Sequence, residues 1–464
     1  MHAYRSALET AARLALDYLE SLDQRPVGVL AQQPVMLERL GSTLADEGIS
    51  PERVIDELVR DAEPGIIGSA GGRFFAWVIG GALPSALAAD WLTVAWDQNA
   101  VLAASAPAAA MVEEVAGGWL KQILGLPSEA SFAFVSGCQM AHVTCLAAAR
   151  HALLEKRGWN VEELGMAGAP PIRIFSSDQR HGSFERAVRL VGLGTANVEY
   201  LAADSNGRLI PDALAQALEK DTRPAIVLLQ AGEINTGVYD PFANLIPIAR
   251  RHGAWVHVDG AFGLWAAASP RYRHLVEGFE LADSWATDGH KWLNVPYDSG
   301  YAFVAHSRPH RASMSHRAVY LTHDAARRDQ IDWNPEWSRR ARGFSTYAAL
   351  RELGRNGVAT LIERCCDHAR AIVDGIGRLP RTEVLWRPSI NQGLVRFLDP
   401  HSADHDHRTD DVIAAIAATG EAFFTATTWR GMRAMRISVC NWQTSDEDVR
   451  RTVSAVAIVL RETK

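Results

Sequence analysis

Cysteine is scarce in this chain: there are five in 464 residues, and two of them, Cys365 and Cys366, are adjacent. So few, and an odd number, exclude a disulfide framework and suit a reducing compartment, so a cytoplasmic location is expected. A basic excess is also lacking. The 47 Lys and Arg residues are outnumbered by 54 Asp and Glu, and the formal charge of −7 offers no field for a nucleic-acid backbone. No run reaches the roughly 20 apolar residues that span a bilayer. The first residues mix charges at helical spacing instead of forming an apolar signal core. Neither nucleic acid nor membrane is therefore expected as a partner. His401, His405 and His407 cluster in one stretch, but without a partner cysteine they read as a solvated loop and not as a metal-ligand set, and no metal is expected. Fixed-period repeats and low-complexity linkers are absent as well.

What is present is a chain about three times the usual domain length, 48% hydrophobic, enough for two or three packed units. Residues 1–75 carry apolar positions at helical period and read as a helical arm or cap. Small residues dominate from Phe74 onward, which suits closely packed helices and a surface shared with a second copy, so a homodimer is expected. From there to residue 345 short β-rich runs alternate with helical stretches. SFAFVSG, PIRIFSS and AIVLLQA each precede a helix, and AWVHVD and GYAFVA follow. This alternation predicts a largely parallel sheet covered by helices. Residues 346–464 begin with a long helix, continue with the strands GLVRFL and AMRISVC, and end in a helix, which reads as a small α+β domain.

The chemistry concentrates in WVHVDGAFG and TDGHKWL. Asp259 ends an apolar strand, where open α/β sheets place ligand contacts, and Lys291 follows 32 residues later in a polar turn. A lysine amine forms a Schiff base with an aldehyde, and a buried carboxylate keeps a pyridine nitrogen protonated. A turn from strand to helix at Ser136, Gly137, Cys138 and Gln139 presents backbone N–H groups suited to a phosphate.

In these motifs, in their order and in their spacing, the sequence resembles the pyridoxal-phosphate-dependent group II amino-acid decarboxylases, which include the aromatic-amino-acid and glutamate decarboxylases. The resemblance runs from about Gly72 to the C-terminus and includes SSDQRHGSFERAVRLVGLG, AGEINTGVYDPF and MRISVCNWQTSDEDV. It implies a fold-type I transferase-like architecture: a mostly parallel seven-stranded sheet with helices on both faces, plus the arm and the small domain. It also implies pyridoxal 5'-phosphate as cofactor, with Lys291 as the Schiff-base lysine, Asp259 as the partner of the pyridine nitrogen, His181 stacked on one ring face and Ala261 packed on the other. Asp288 and His290 fall where the family contacts the phosphate or orients the substrate, and residues 136–139 fall on its phosphate-binding turn.

Some positions depart from the family pattern. V-S-G-C-Q-M-A-H stands for T-S-G-G-T-E-A-N, and GEINTG for G-T-T-x-T-G, so a threonine contact falls on Ile234, with Asn235 as the neighbour able to compensate. The family's loop tyrosine, which assists protonation of the substrate carbon, has only Tyr320 as a counterpart within residues 306–337. Either Tyr320 or His181 supplies that proton, or the carbanion meets another fate. Decarboxylation of an L-amino acid is accordingly the leading expectation. An aminotransferase or decarboxylation-dependent aldehyde synthase is the alternative on the same fold, and a cofactor-binding protein without turnover is a third reading. Phe75 and Trp77 lie in the segment that lines the family's substrate pocket, pointing to an aromatic or apolar substrate or else to simple packing, and Gln98 and Asn99 are expected to supply polar contacts across a dimer.

Overall fold

The computed structural model describes residues 2–28, 31–41, 43–316 and 328–462. Its chain forms two compact units. One contains residues 80–370 and 386–393, and the other contains 1–79, 371–385 and 394–464.

The first unit is built on seven strands: β1 (Ser131–Val135), β2 (Arg173–Ser177), β3 (Val198–Leu201), β4 (Ala225–Gln230), β5 (Trp255–Asp259), β6 (Ser284–Asp288) and β7 (Gly300–Val304). Their order is β1-β7-β6-β5-β4-β2-β3. β7 runs antiparallel to both neighbours, and every other pairing is parallel. All residues of β1, β2, β4, β5, β6 and β7 are buried. Near-continuous apolar runs such as AIVLLQ are what a strand covered on both faces requires. The expected strands are all present, and two more join them. β3 is a four-residue edge strand with three incompletely buried positions. β6, SWATD, hides its pattern behind polar residues whose side chains serve the interior, with Ser284, Thr287 and Asp288 all buried. The helix Cys138–Glu155 is almost wholly buried, and its alanines and leucines form one core cluster with Ile226, Leu228 and Ala302 of the sheet. No helix among the described residues is long and apolar enough to cross a membrane.

The second unit joins both chain ends. Its sheet has β8 (Thr382–Trp386), β9 (Gln392–Phe397), β10 (Thr425–Trp429) and β11 (Met432–Ser438), in the order β10-β11-β9-β8. Phe75 donates its N–H to the Phe423 carbonyl and accepts from Ser438 N. Arg73, almost fully buried, lies 3.2 Å from the Glu421 carboxylate and 3.4 Å from that of Asp448. The stretches 1–75 and 346–464, set apart by composition, thus share a unit except for 346–370 and 386–393. The expected boundary at 345 falls inside the helical stretch Gly343–Gly377, which is broken at Gly354, where φ is +58°. A left-handed residue interrupts the helix there, and glycine adopts that conformation without a Cβ clash.

Candidate active site

Three neighbouring strands end side by side. Gln230 closes β4 and is paired in register with Asp259 at the end of β5, and Asp288 closes β6. Carboxyl ends of parallel strands are where open α/β sheets hold ligands. A cavity of about 240 Å³ opens at these ends, and Gly137, Cys138, Gln139, His181, Asp259, Ala261, Asp288, His290 and Lys291 all line it. Residues from four separate expected motifs therefore meet in one place. Ser183, Gln230, Gly232, Ile234 and Phe262 complete the lining.

Lys291 sits in the turn after β6, with Nζ 3.1 Å from Asp288 Oδ2. Burial alone would lower its pKa, but the carboxylates of Asp288 and Asp259 outweigh burial and raise it, so the resting amine is an ammonium. The turn closes through Asn294 N on the Lys291 carbonyl at 3.3 Å, with Asn294 at φ +57°. Asparagine tolerates this left-handed position better than most residues. Gly80 packs against the same turn so closely that a Cβ there would lie 1.7 Å from the Lys291 carbonyl oxygen, and Leu83 N donates to the Asn294 carbonyl at 2.8 Å.

Asp259 is buried and keeps both oxygens partnered. Oδ1 accepts from Ala261 N at 3.1 Å and lies 3.8 Å from Cys138 Sγ, while Oδ2 is 3.5 Å from His142 Nε2. Burial pushes its pKa up, yet His142, His181 and Lys291 pull it below the ordinary carboxylate range, so Asp259 is an anion. Donor atoms of Cys138, His142 and Asp259 lie within 4.8 Å of one another. Burial, then Asp259 and Asp288, push the Cys138 thiol well up, so it stays protonated.

Asp288 bridges two elements of the site. Its Oδ1 accepts from Cys138 N at 2.6 Å, and its Oδ2 holds Lys291. The carboxylate thus ties the lysine to the start of the helix Cys138–Glu155. His290 accepts from Ser299 N through Nδ1 at 3.1 Å and stacks on Tyr297 at 4.3 Å. Burial lowers its pKa. His181 caps the helix Gly182–Leu190, its Nδ1 2.8 Å from Ser183 Oγ. Asn235 is not among the lining residues: its side-chain amide donates to Glu233 Oε1 at 2.8 Å, because Glu233 closes its own turn by also accepting from Asn235 N, Thr236 N and Thr236 Oγ1. Ile234 faces the cavity instead. Ser136 precedes the lining residues on the strand-to-helix turn. Tyr320 lies outside the described residues.

Among the expected substrate residues, Asn99 is committed within its own unit, with Oδ1 accepting from Arg339 N at 3.1 Å and Nδ2 donating to Ser338 Oγ at 3.2 Å. Gln98 donates to the Trp96 carbonyl. In the other unit Phe75 is fully buried and stacked on Phe424, while Trp77 is half exposed, tilted against Phe74 and Phe423, with φ +51°.

Pyridoxal phosphate fits this donor set. Glycine clears the rim: a Cβ at Gly137 would come within 3.0 Å of the His290 ring, and one at Gly300 within 2.4 Å of Gly137 Cα. The buried Gln139 Nε2 has no hydrogen-bond partner among the described residues, and Gln139 lines the cavity beside a helix N-terminus, the usual seat of a phosphate. Reading the sequence did not give a role to His142 or His257. The i, i+4 spacing from Cys138 to His142 was the available signal, since it puts both on one helical face.

Comparison with known proteins gives one answer. A family model described as the pyridoxal-dependent decarboxylase conserved domain matches residues 34–398. Tyrosine decarboxylase 2 of Arabidopsis thaliana is 26% identical over 452 residues, covering 91% of this chain and 80% of the relative. Phenylacetaldehyde synthase of Petunia hybrida is 24% identical over 450 residues, covering 91% and 87%. Aromatic-L-amino-acid decarboxylase of Bacillus atrophaeus is 23% identical over 463 residues, covering 97% and 94%. Among solved structures, Oryza sativa TDC with PLP and tryptamine superposes with a TM-score of 0.92 at 24% identity, covering 100% of this chain and 98% of the other. Catharanthus roseus tryptophan decarboxylase in complex with L-tryptophan gives 0.90 at 21%, with the same coverage. At these identities the structures establish a shared fold.

Proposed function

The chain belongs to the pyridoxal-dependent decarboxylases, and from that premise we propose that it removes the carboxylate of an aromatic L-amino acid as carbon dioxide, leaving the amine, with Lys291 carrying the cofactor. The observation that carries the assignment of roles is the meeting of Asp259, Lys291 and His181 in one cavity at the strand ends.

Bound through its aldehyde to Lys291, pyridoxal phosphate supplies an electron sink for the pair left at the substrate's Cα when carbon dioxide departs. Asp259 holds a proton on the pyridine nitrogen, which its anionic state and its place at the end of β5 suit. Gln139 and the helix start at Cys138 receive the phosphate. Asp288 holds Lys291 at 3.1 Å and fixes where its amine enters the cavity. His181 and Lys291 both line the cavity as proton carriers for Cα. Ile234 and Phe262 give it an apolar side, which favours an aromatic over a charged side chain. The names of the relatives point the same way.

The working form is a homodimer. Trp91, Leu92, Val94 and Trp96 on the helix Pro84–Trp96, with Met111 on the next helix, are large apolar side chains left 43–63% exposed in the single chain. Such a patch marks an interaction surface. The five cysteines are buried and none is in a disulfide among the described residues, which suits the reducing cytoplasm proposed as its location.

The test is a panel of L-amino acids incubated with cofactor-loaded protein, with carbon dioxide, amine, keto acid and aldehyde all measured. Equal amounts of carbon dioxide and amine from an aromatic substrate are expected. Keto acid without carbon dioxide would overturn the assignment, and aldehyde in place of amine would redirect it to aldehyde synthesis. Light scattering reads the dimer.

A further inference from the structure

Behind Asp259 lies a chain of buried polar groups that the steps above do not use. Trp255 Nε1 is 2.9 Å from Ser284 Oγ, Ser284 Oγ is 2.9 Å from His257 Nδ1, and His257 Nε2 is 2.8 Å from His142 Nδ1. His142 Nε2 in turn faces Asp259 Oδ2 at 3.5 Å. His142, His257 and Ser284 are all fully buried. Two rings of this kind in a core cost desolvation unless each nitrogen is satisfied.

The chain has a direction, assigned from its bonding pattern. An indole N–H only donates, so Ser284 Oγ accepts from Trp255 and its own proton is available for His257 Nδ1. Burial holds His257 down to about 3, so the ring is neutral and carries a single N–H. With Nδ1 accepting, that N–H is on Nε2 and donates to His142 Nδ1. The remaining His142 proton then sits on Nε2, the nitrogen that lies 3.5 Å from Asp259 Oδ2. Cys138 Sγ, 3.5 Å from the same nitrogen, and the edge of Phe184, with ring centroids 6.0 Å apart, close the rest of its surroundings.

We infer that His142 is a positioning residue for Asp259: at the end of an oriented hydrogen-bond chain from Trp255 through Ser284 and His257, it fixes one carboxylate oxygen so that Asp259 remains an anion aimed at the cofactor's pyridine nitrogen. The inference rests on the functional reading above. Asp259 Oδ1 is turned by Ala261 N, and without a donor on Oδ2 the carboxylate could rotate or take up a proton in so buried a place. The sheet supplies the scaffold, since Asp259 and His257 lie on β5 and Ser284 begins β6 opposite His257.

The test uses pyridoxal phosphate labelled with nitrogen-15 in the ring, bound to the full-length protein, and reads the protonation of that nitrogen from its chemical shift across the neutral and alkaline range. Wild-type protein should hold the protonated shift throughout. His142→Leu should lose it at the alkaline end and lose about tenfold or more in kcat, about one pKa unit's worth of proton affinity. His142→Asn, which keeps a short N–H donor, should regain part of the signal. Ser284→Ala, which frees the His257 tautomer without touching either ring, should shift in the same direction by less. A protonated shift in His142→Leu equal to wild type, with unchanged kcat, overturns the inference. If His142→Leu does not fold, Ser284→Ala decides it, and a wild-type signal there overturns it equally. A wild-type protein that forms no borohydride-reducible adduct at Lys291 would instead defeat the functional reading, which separates the two failures.

Discussion

The two walls of the cavity are built on different plans. On the β5–β6 side, Asp259, Asp288 and Lys291 present charged groups to the cavity and hold one another within hydrogen-bond or ion-pair reach of a shared partner. On the β4 side, residues 232–236 turn their polar groups inward. Glu233 takes four hydrogen bonds from Asn235 and Thr236, and only Ile234 and Gly232 of that turn line the cavity. The first wall is where the sequence keeps the family's pattern, and the second is where it departs from it. A motif can therefore change on one side by folding its polar residues into self-closed turns while the charged machinery opposite stays intact.

Substitutions can break this contrast from its strong side downward. Lys291→Ala removes the amine that bonds the cofactor, and carbon dioxide release should fall by at least about 10³-fold. The borohydride-reducible adduct should vanish from the mass spectrum of the protein. A substitution on the β4 side with an equal effect would erase the distinction between the walls. Asp259→Asn keeps the shape but not the charge, and kcat should drop about 10²- to 10³-fold while cofactor remains bound, read by turnover beside absorbance. Glu233→Ala should act on stability instead. It strands buried donors of Asn235 and Thr236, costing about 1–3 kcal/mol in denaturant unfolding, with a smaller loss of kcat than either charged-wall variant.

The smallest expected effect is in pH. Behind the first wall, burial holds His257 at about 3 in the folded chain against 6.5 for a free imidazole. The unfolded state binds more protons between these values, so stability falls as the pH drops below about 6.5. Behind the second wall, Asp240 accepts from Leu209 N and Gln230 N, and burial raises it to about 6 from 3.8. Here the folded state binds the extra proton, so this residue adds stability as the pH drops from about 6 toward 4. Asp240→Asn removes that opposing contribution, and acid unfolding between those values should become steeper than in wild type. An unchanged slope would show that Asp240 titrates alike in both states.

Much of this was legible in the residues. The apolar runs at 131–135, 225–230 and 255–259 announced buried strands, and the family resemblance carried by HVDGAFG and DGHKW put Asp259 and Lys291 in one site. What escaped had physical causes. β6 reads SWATD, whose serine, threonine and aspartate are interior hydrogen-bonding groups that period and hydropathy do not register. Asn235 looked like a replacement ligand because a sequence does not show that Glu233, two residues before it, would claim its amide. Phe75 looked like a pocket residue as readily as a core residue, and its burial against Phe424 involves a residue almost 350 positions away. Long-range pairing of that kind also explains why 1–75 and 346–464 looked like separate pieces. Composition marks where a stretch changes character, not which distant stretch it will meet.

The close seat of Gly80 on the lysine turn gives the enzyme an internal reporter. Because the Leu83 N–H is held by the carbonyl of Asn294, its hydrogen cannot exchange with solvent deuterium until the turn bearing Lys291 loosens or residues 80–83 lift away from it. Exchange at that single amide therefore times the opening of the turn, on a scale from local fraying to global unfolding. Cofactor bound at Lys291 should slow it, which makes one backbone hydrogen a gauge of how tightly that lysine is held.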